Sequence, residues 1–177
     1  SYPHSAEINV WADRKDYLAH AIDAPEWSGG SFTLRTEGGA VVRRIDLTQL
    51  DETGEFDTTM LDRILPHEMC HLVLSEFFGD AASPLFLDEG LAMLAESAVD
   101  NRRTELAGVA LAGTAKIPLQ ALLALERHDV VSPAVFYAES YSFVRFLHAR
   151  LTRSQFRQTL LHVKAGCSLG EALQRAL

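Results

Sequence analysis

An α+β fold is predicted for this chain, with a small β-sheet in about residues 1–56 followed by a mainly helical portion in about residues 57–177. Short segments with strand-like alternation, separated by turn signals, occupy the first third. From about residue 57, apolar residues recur at helical spacing. No internal repeat or interdomain linker interrupts the 177 residues, so the whole sequence, 1–177, is interpreted as a single domain.

Three segments of the first third have the residue pattern of strands: Glu7–Ala12, Ser31–Thr36 and Val41–Leu47. In the first of them Ile8 and Val10 lie on one face. Residues 13–22 are predicted to form a short helix. The second and third segments flank Glu37-Gly38-Gly39, which is a strong hairpin signal.

The remainder is predicted as a series of helices, of which the first begins near Asp57 or Thr58. Pro66 interrupts it, because proline lacks an amide hydrogen and clashes with the carbonyl four residues earlier. Either the helix kinks there or a new helix begins. Further helices are predicted around Glu89 and over residues 106–111, 118–125, 139–151, 154–164 and 168–177. A polar break at residues 101–103 and an exposed loop at residues 126–133 separate them.

Charge and hydropathy exclude several classes of partner. The net charge of -8 argues against nucleic acid or an anionic membrane. No run of 18 apolar residues occurs, so no transmembrane segment is predicted. The sequence begins at Ser1 without a methionine or a signal peptide, which indicates a trimmed chain. Cys70 is interpreted as a small buried residue and not as a metal ligand.

The motif with the clearest chemistry is His67-Glu68-Met69-Cys70-His71. On a helix, side chains four residues apart share a face at about 5–6 Å, so both imidazoles can reach one Zn²⁺. Glu68 lies beside the metal, where it can take a proton from a metal-bound water. The alternative is a helix with two surface histidines and a solvated glutamate. A third metal ligand elsewhere in the sequence would argue against this alternative.

A catalytic zinc site needs three protein ligands and one open position. Metzincins have a third histidine shortly after the second, behind a glycine, but residues 72–78 contain neither residue, which excludes that class. Glu89 lies 18 residues after His71, beyond a loop in residues 79–84 that allows a second helix to come alongside. Glu89 is therefore the candidate carboxylate ligand, with Asp88 and Glu96 as alternatives. Asp88 could instead orient a ligand histidine or cap the Glu89 helix.

Together, the H-E-x-x-H motif and the sequence Asp88-Glu-Gly-Leu-Ala92 resemble the gluzincins, and most closely the bacterial peptidase-MA-like domains. The resemblance implies a zincin-like fold, in which a small twisted sheet sits above the zinc helix. It implies that His67, His71 and Glu89 bind Zn²⁺ and that Glu68 is the general base. The implied activity is zinc-dependent hydrolysis of a peptide or protein substrate, and the resemblance also points weakly to an exported or cell-surface bacterial protein.

Gluzincin aminopeptidases have a helix that starts Tyr-x-x-Gly/Ser, and its first tyrosine hydrogen-bonds the oxyanion. Tyr137-Ala-Glu-Ser-Tyr141 resembles this start, which makes Tyr137 the candidate donor and leaves Tyr141 as an alternative; either could simply pack the helix. The G-x-M-E-N motif that binds a substrate amine is absent, and Gly29-Gly30-Ser-Phe-Thr stands in the comparable region. An endopeptidase is therefore favoured over an aminopeptidase.

Two further alternatives remain at this point. One strand of the predicted hairpin could pair with a bound peptide by β-addition, or it could be an ordinary sheet edge. The whole domain could also be a catalytically weak or inactive peptide-binding or structural module of a larger exported protein. The presence of Glu68 argues against the second alternative, because a purely structural metal site does not need a general base.

Overall fold

The computed structural model describes residues 5–22, 24, 26, 28–51, 53–96, 101–113, 116–126 and 132–177, and only the backbone of residues 101–104. The chain divides into two compact units, one formed by residues 1–75 with 95–98 and the other by residues 76–94 with 99–177. A small sheet precedes a mainly helical region. The predicted α+β class is confirmed.

The first unit contains a three-stranded sheet and one helix: β1 (Glu7–Trp11), α1 (Arg14–His20), β2 (Gly30–Glu37) and β3 (Ala40–Thr48). The strand order is β1-β3-β2, with β1 parallel and β2 antiparallel to β3. Gly38 and Gly39 connect β2 to β3 with φ angles of 55° and 85°, a conformation that side chains disfavour. The predicted hairpin is confirmed.

One face of the sheet packs on apolar side chains from the helical segment in residues 60–72. Its buried residues and their close neighbours are Ile45, Leu47, Met60 and Leu72, with Phe32, Ile64 and Leu65. Ile8 and Val10 lie on one face of β1, as predicted, and pair in register with Ile45 and Leu47 of the packed face. About half of each side chain is nevertheless exposed, because β1 is an edge strand of the described sheet.

The opposite face carries α1 and a buried polar network. Tyr17 of α1 is completely buried, and its hydroxyl lies 2.7 Å from Ser28 Oγ. Asp46 is also completely buried; its Oδ1 accepts hydrogen bonds from Trp11 Nε1 at 2.8 Å and from Arg44 Nη2 at 2.7 Å. This network joins β1 to β3, which explains why a short parallel edge strand holds its register.

The helical part begins with a π-helical turn, Met60–Ile64, followed by α2 (Leu65–Phe78), α3 (Leu85–Ala95), α4 (Asn101–Ala112), α5 (Leu119–Ala124), α6 (Pro133–Arg150), α7 (Arg153–Lys164) and α8 (Leu169–Ala176). Because α2 begins at Leu65, Pro66 lies in a first turn, where its missing amide hydrogen costs nothing. None of the described helices is long and apolar enough to cross a membrane.

Two predicted boundaries are wrong. The polar residues 101–103 are not a break, because α4 begins at Asn101; arginine forms helices well, and a helix can begin without an apolar residue in its first turn. Helix α6 begins at Pro133, six residues before the predicted start, with proline in the first turn. Most of the predicted loop, residues 127–131, lies outside the described part of the chain.

Candidate metal centre

Helix α2 carries the central motif. His67 and His71 are partly buried and share a face of the helix, with ring centroids 4.8 Å apart and ring planes at 74°. Glu68 follows His67 directly and is only 7% exposed. The alternative of a solvated glutamate on a surface helix therefore does not hold.

Glu89 of α3 completes a cluster with the two histidines. One ring nitrogen of His67, one of His71 and one carboxylate oxygen of Glu89 lie within 4.8 Å of one another. Two imidazoles and one carboxylate are a donor set that zinc accepts, with a fourth position left for water or substrate. Glu89 is 7% exposed, and a buried carboxylate beside imidazoles fits a cation because it needs a compensating charge.

Neither Asp88 nor Glu96, the alternative third ligands, belongs to this cluster, and the described residues contain no second cluster of its kind. Glu96 instead contacts one of the two histidines and an arginine. Its Oε1 lies 3.0 Å from His67 Nδ1, and its Oε2 accepts a hydrogen bond from Arg63 Nε at 3.3 Å. Sequence reasoning missed this contact, although the spacing of seven residues after Glu89, about two helical turns, was a usable signal.

The first residues of β2 lie against the motif. A Cβ atom at Gly30 would be 2.5 Å from Ile64 Cγ2 and 3.2 Å from Glu68 Cγ, and one at Gly29 would be 2.8 Å from Ile64 Cδ1. Such distances are too short for any residue with a side chain unless its neighbours move. The glycine pair therefore allows the edge strand β2 to start directly beside Glu68.

Helix α3 is held against α6 at the residue after Glu89. A Cβ atom at Gly90 would be 2.4 Å from Val144 Cγ2 and 2.8 Å from the carbonyl oxygen of Ser140. The rings of Phe86 and Phe143 continue this contact, with centroids 5.8 Å apart. Gly90 thus permits a close helix–helix approach that sets the position of Glu89 relative to α6.

Tyr137 and Tyr141 lie on α6, on either side of Ser140. Tyr137 is partly buried, whereas Tyr141 is 7% exposed. Between them, Glu139 is 4% exposed, and its two carboxylate oxygens accept the Ile117 amide hydrogen at 3.1 and 3.2 Å. Burial raises the pKa of Glu139 above its usual value. Glu139 therefore fixes a loop, and of the two tyrosines Tyr137 is the more accessible.

The α+β fold and the His-His-Glu cluster together define a metallopeptidase-like domain. The family comparison agrees with this class: the model of the peptidase MA superfamily matches residues 8–177, and the chain belongs to that superfamily. No curated protein and no solved structure matches the chain significantly.

Proposed function

We propose that this protein is a zinc-dependent peptidase that cleaves peptide bonds within a peptide or protein chain. The observation that carries the proposal is the cluster of His67, His71 and Glu89, with donor atoms within 4.8 Å of one another, in a member of the peptidase MA superfamily. A structural zinc site usually has four protein ligands, whereas three leave a position open for chemistry.

His67, His71 and Glu89 would hold the zinc. When bound, zinc would polarise the scissile carbonyl and bring the pKa of a water molecule to about 7. Glu68 accepts the proton of the attacking water and delivers it to the leaving amine. Its burial at 7% exposure and its position directly after His67 support this role, because a general base must be held close to the reacting atoms.

The phenol of Tyr137 would donate a hydrogen bond to the oxyanion as the tetrahedral intermediate forms. A tyrosine suits this task because it is a neutral donor at pH 7. Its position on α6 supports the assignment, since α6 contacts α3 at Gly90, next to Glu89. Tyr141, which is more deeply buried, is assigned to packing.

The substrate backbone would lie along β2. This strand is at the edge of the described sheet, and its first residues lie beside Glu68. An extended peptide can add to such an edge through main-chain hydrogen bonds. The glycine pair Gly29–Gly30 offers no carboxylate for a substrate amine, which favours cleavage within a chain over removal of its first residue.

The test compares wild-type protein with Glu68→Gln on a library of internally quenched peptides, with zinc content measured on both. We expect E68Q to retain zinc and to lose about 100-fold to 10,000-fold in kcat. Glu105→Gln, an exposed residue of α4, is the matched control and should behave as wild type. Equal activity of E68Q and wild type would overturn the proposal. A zinc-loaded wild type that binds peptides without cleaving them would favour the peptide-binding module.

A further inference from the structure

His67 has a second partner besides the proposed metal. The Nδ1 atom of its ring lies 3.0 Å from Glu96 Oε1. A carboxylate offers only acceptors, so the hydrogen of this bond must be on Nδ1. The Nε2 atom of the neutral ring then keeps its lone pair. Glu96 thus selects the tautomer in which His67 can bind a metal through Nε2.

Glu96 is itself held from the other side. Arg63 Nε donates a hydrogen bond to Glu96 Oε2 at 3.3 Å, so that each carboxylate oxygen has one of these two contacts. The Glu96 side chain is 4% exposed, the His67 side chain 17% and the Arg63 side chain 34%. The row of three side chains therefore runs from a partly solvated guanidinium to a partly buried imidazole through a buried carboxylate.

Arg63 lies in a segment of unusual backbone conformation. It lies in the π-helical turn Met60–Ile64, directly before α2, and Pro66 in the first turn of α2 has no amide hydrogen to donate. Ile64 of the same turn lies so close to Gly29 and Gly30 that a Cβ atom at either glycine would clash with it. Short π-helical segments are often found at functional sites. The turn therefore contacts Glu96 through Arg63 and the start of β2 through Ile64.

We infer that Arg63 and Glu96 are positioning residues for the metal ligand His67: Glu96 orients the imidazole and fixes its tautomer, and Arg63 acts through Glu96. The inference rests on the proposed function as far as the metal is concerned. The hydrogen bond between Glu96 and His67 exists independently of any metal, so the orientation of the ring can be tested separately.

The first experiment measures zinc affinity by competition with a chromophoric chelator. We expect Glu96→Ala to weaken zinc binding by about 10-fold to 100-fold, as is usual for loss of a residue that orients a ligand histidine. Arg63→Met should weaken it by about fivefold or less, because Arg63 is partly exposed. The double variant should be no weaker than E96A alone, since Arg63 acts through Glu96. Arg157→Met, at an exposed position of α7, is the control and should have no effect.

The second experiment records the ring ¹⁵N signals of His67 by NMR, in zinc-loaded and metal-free protein. Wild type should have hydrogen on Nδ1 in both states, and E96A should lose this preference in the metal-free state. If E96A does not fold, as judged by circular dichroism, Glu96→Gln replaces it. A neutral amide oxygen is a weaker acceptor than a carboxylate, so E96Q should bind zinc more weakly than wild type by about threefold to 10-fold.

Unchanged zinc affinity in E96A, or in E96Q where E96A does not fold, would overturn the inference. So would an Nδ1 hydrogen that is absent from wild-type His67. A wild type that takes up no zinc while its His67 carries the Nδ1 hydrogen would contradict the proposed function and leave the orientation of the ring by Glu96 supported.

Discussion

Gly90→Ala is the substitution whose effect the structure defines best. In an open helix, alanine is more stable than glycine by about 1 kcal/mol. At position 90, however, the new methyl group would be 2.4 Å from Val144 Cγ2 and 2.8 Å from the backbone oxygen of Ser140. Ordinary contacts begin at about 3.4 Å, so a Cβ atom at position 90 would need roughly 0.6 Å more room at the Ser140 oxygen and roughly 1 Å more at Val144 Cγ2. A backbone atom cannot rotate away as the end of a side chain can.

Gly108 provides the matched control. It also lies inside a helix, α4, and a Cβ atom there would have no neighbour within 4 Å. Gly108→Ala should therefore raise the free energy of unfolding by about 1 kcal/mol. For Gly90→Ala the overpacking cost of about 1–3 kcal/mol offsets this gain, so the two variants should differ by about that amount.

Urea unfolding of wild type and both variants, at equal zinc concentration, measures the difference. Zinc affinity measured on the same samples should fall in G90A and not in G108A, because Glu89 directly precedes Gly90 and moves with α3. A G90A protein as stable as G108A, with wild-type zinc affinity, would refute the role of the Gly90 contact in positioning Glu89.

Two other predictions concern α6. Tyr137→Phe should lower kcat by about 100-fold to 1,000-fold and change KM little, as expected for loss of an oxyanion donor, while Tyr141→Phe should retain most activity. Steady-state kinetics on one peptide measures both variants. A larger loss of kcat in Tyr141→Phe than in Tyr137→Phe would reassign the donor to Tyr141. Burial raises the pKa of Glu139 above 4.5, so the stability that this residue contributes is present below pH 4.5 and is lost as the pH rises through the folded-state pKa. In Glu139→Gln, this fall in the free energy of unfolding should be absent when urea unfolding is measured between about pH 4 and 8. A variant with the same pH dependence as wild type would contradict the prediction.

Local pattern and turn chemistry predicted the α+β class, the hairpin at Gly38–Gly39 and the helical face shared by His67 and His71. These features depend on residues close together in sequence, where periodicity and backbone preference act directly. The start of α4 was missed for a related reason. Its first five residues, Asn101 to Glu105, are all polar, so they carry no apolar periodicity that would mark them as helical.

Other features depend on contacts between distant residues. The parallel pairing of β1 with β3 is held by the bond from Trp11 to Asp46, 35 residues apart, and no local pattern contains it. The same holds for Glu96, which lies 29 residues after His67. The glycines at positions 30 and 90 were visible as residues, but their close contacts with Ile64, Glu68 and Val144 appear only in three dimensions.

The most direct test of the central claim is the metal content per chain, measured by mass spectrometry on protein purified without added metal or chelator. About one zinc per chain is expected for wild type, and much less for Glu89→Ala, which removes one of the three donors within 4.8 Å of one another. A wild type that contains no metal and takes up none on titration with zinc would contradict the account, as would an E89A variant with undiminished zinc.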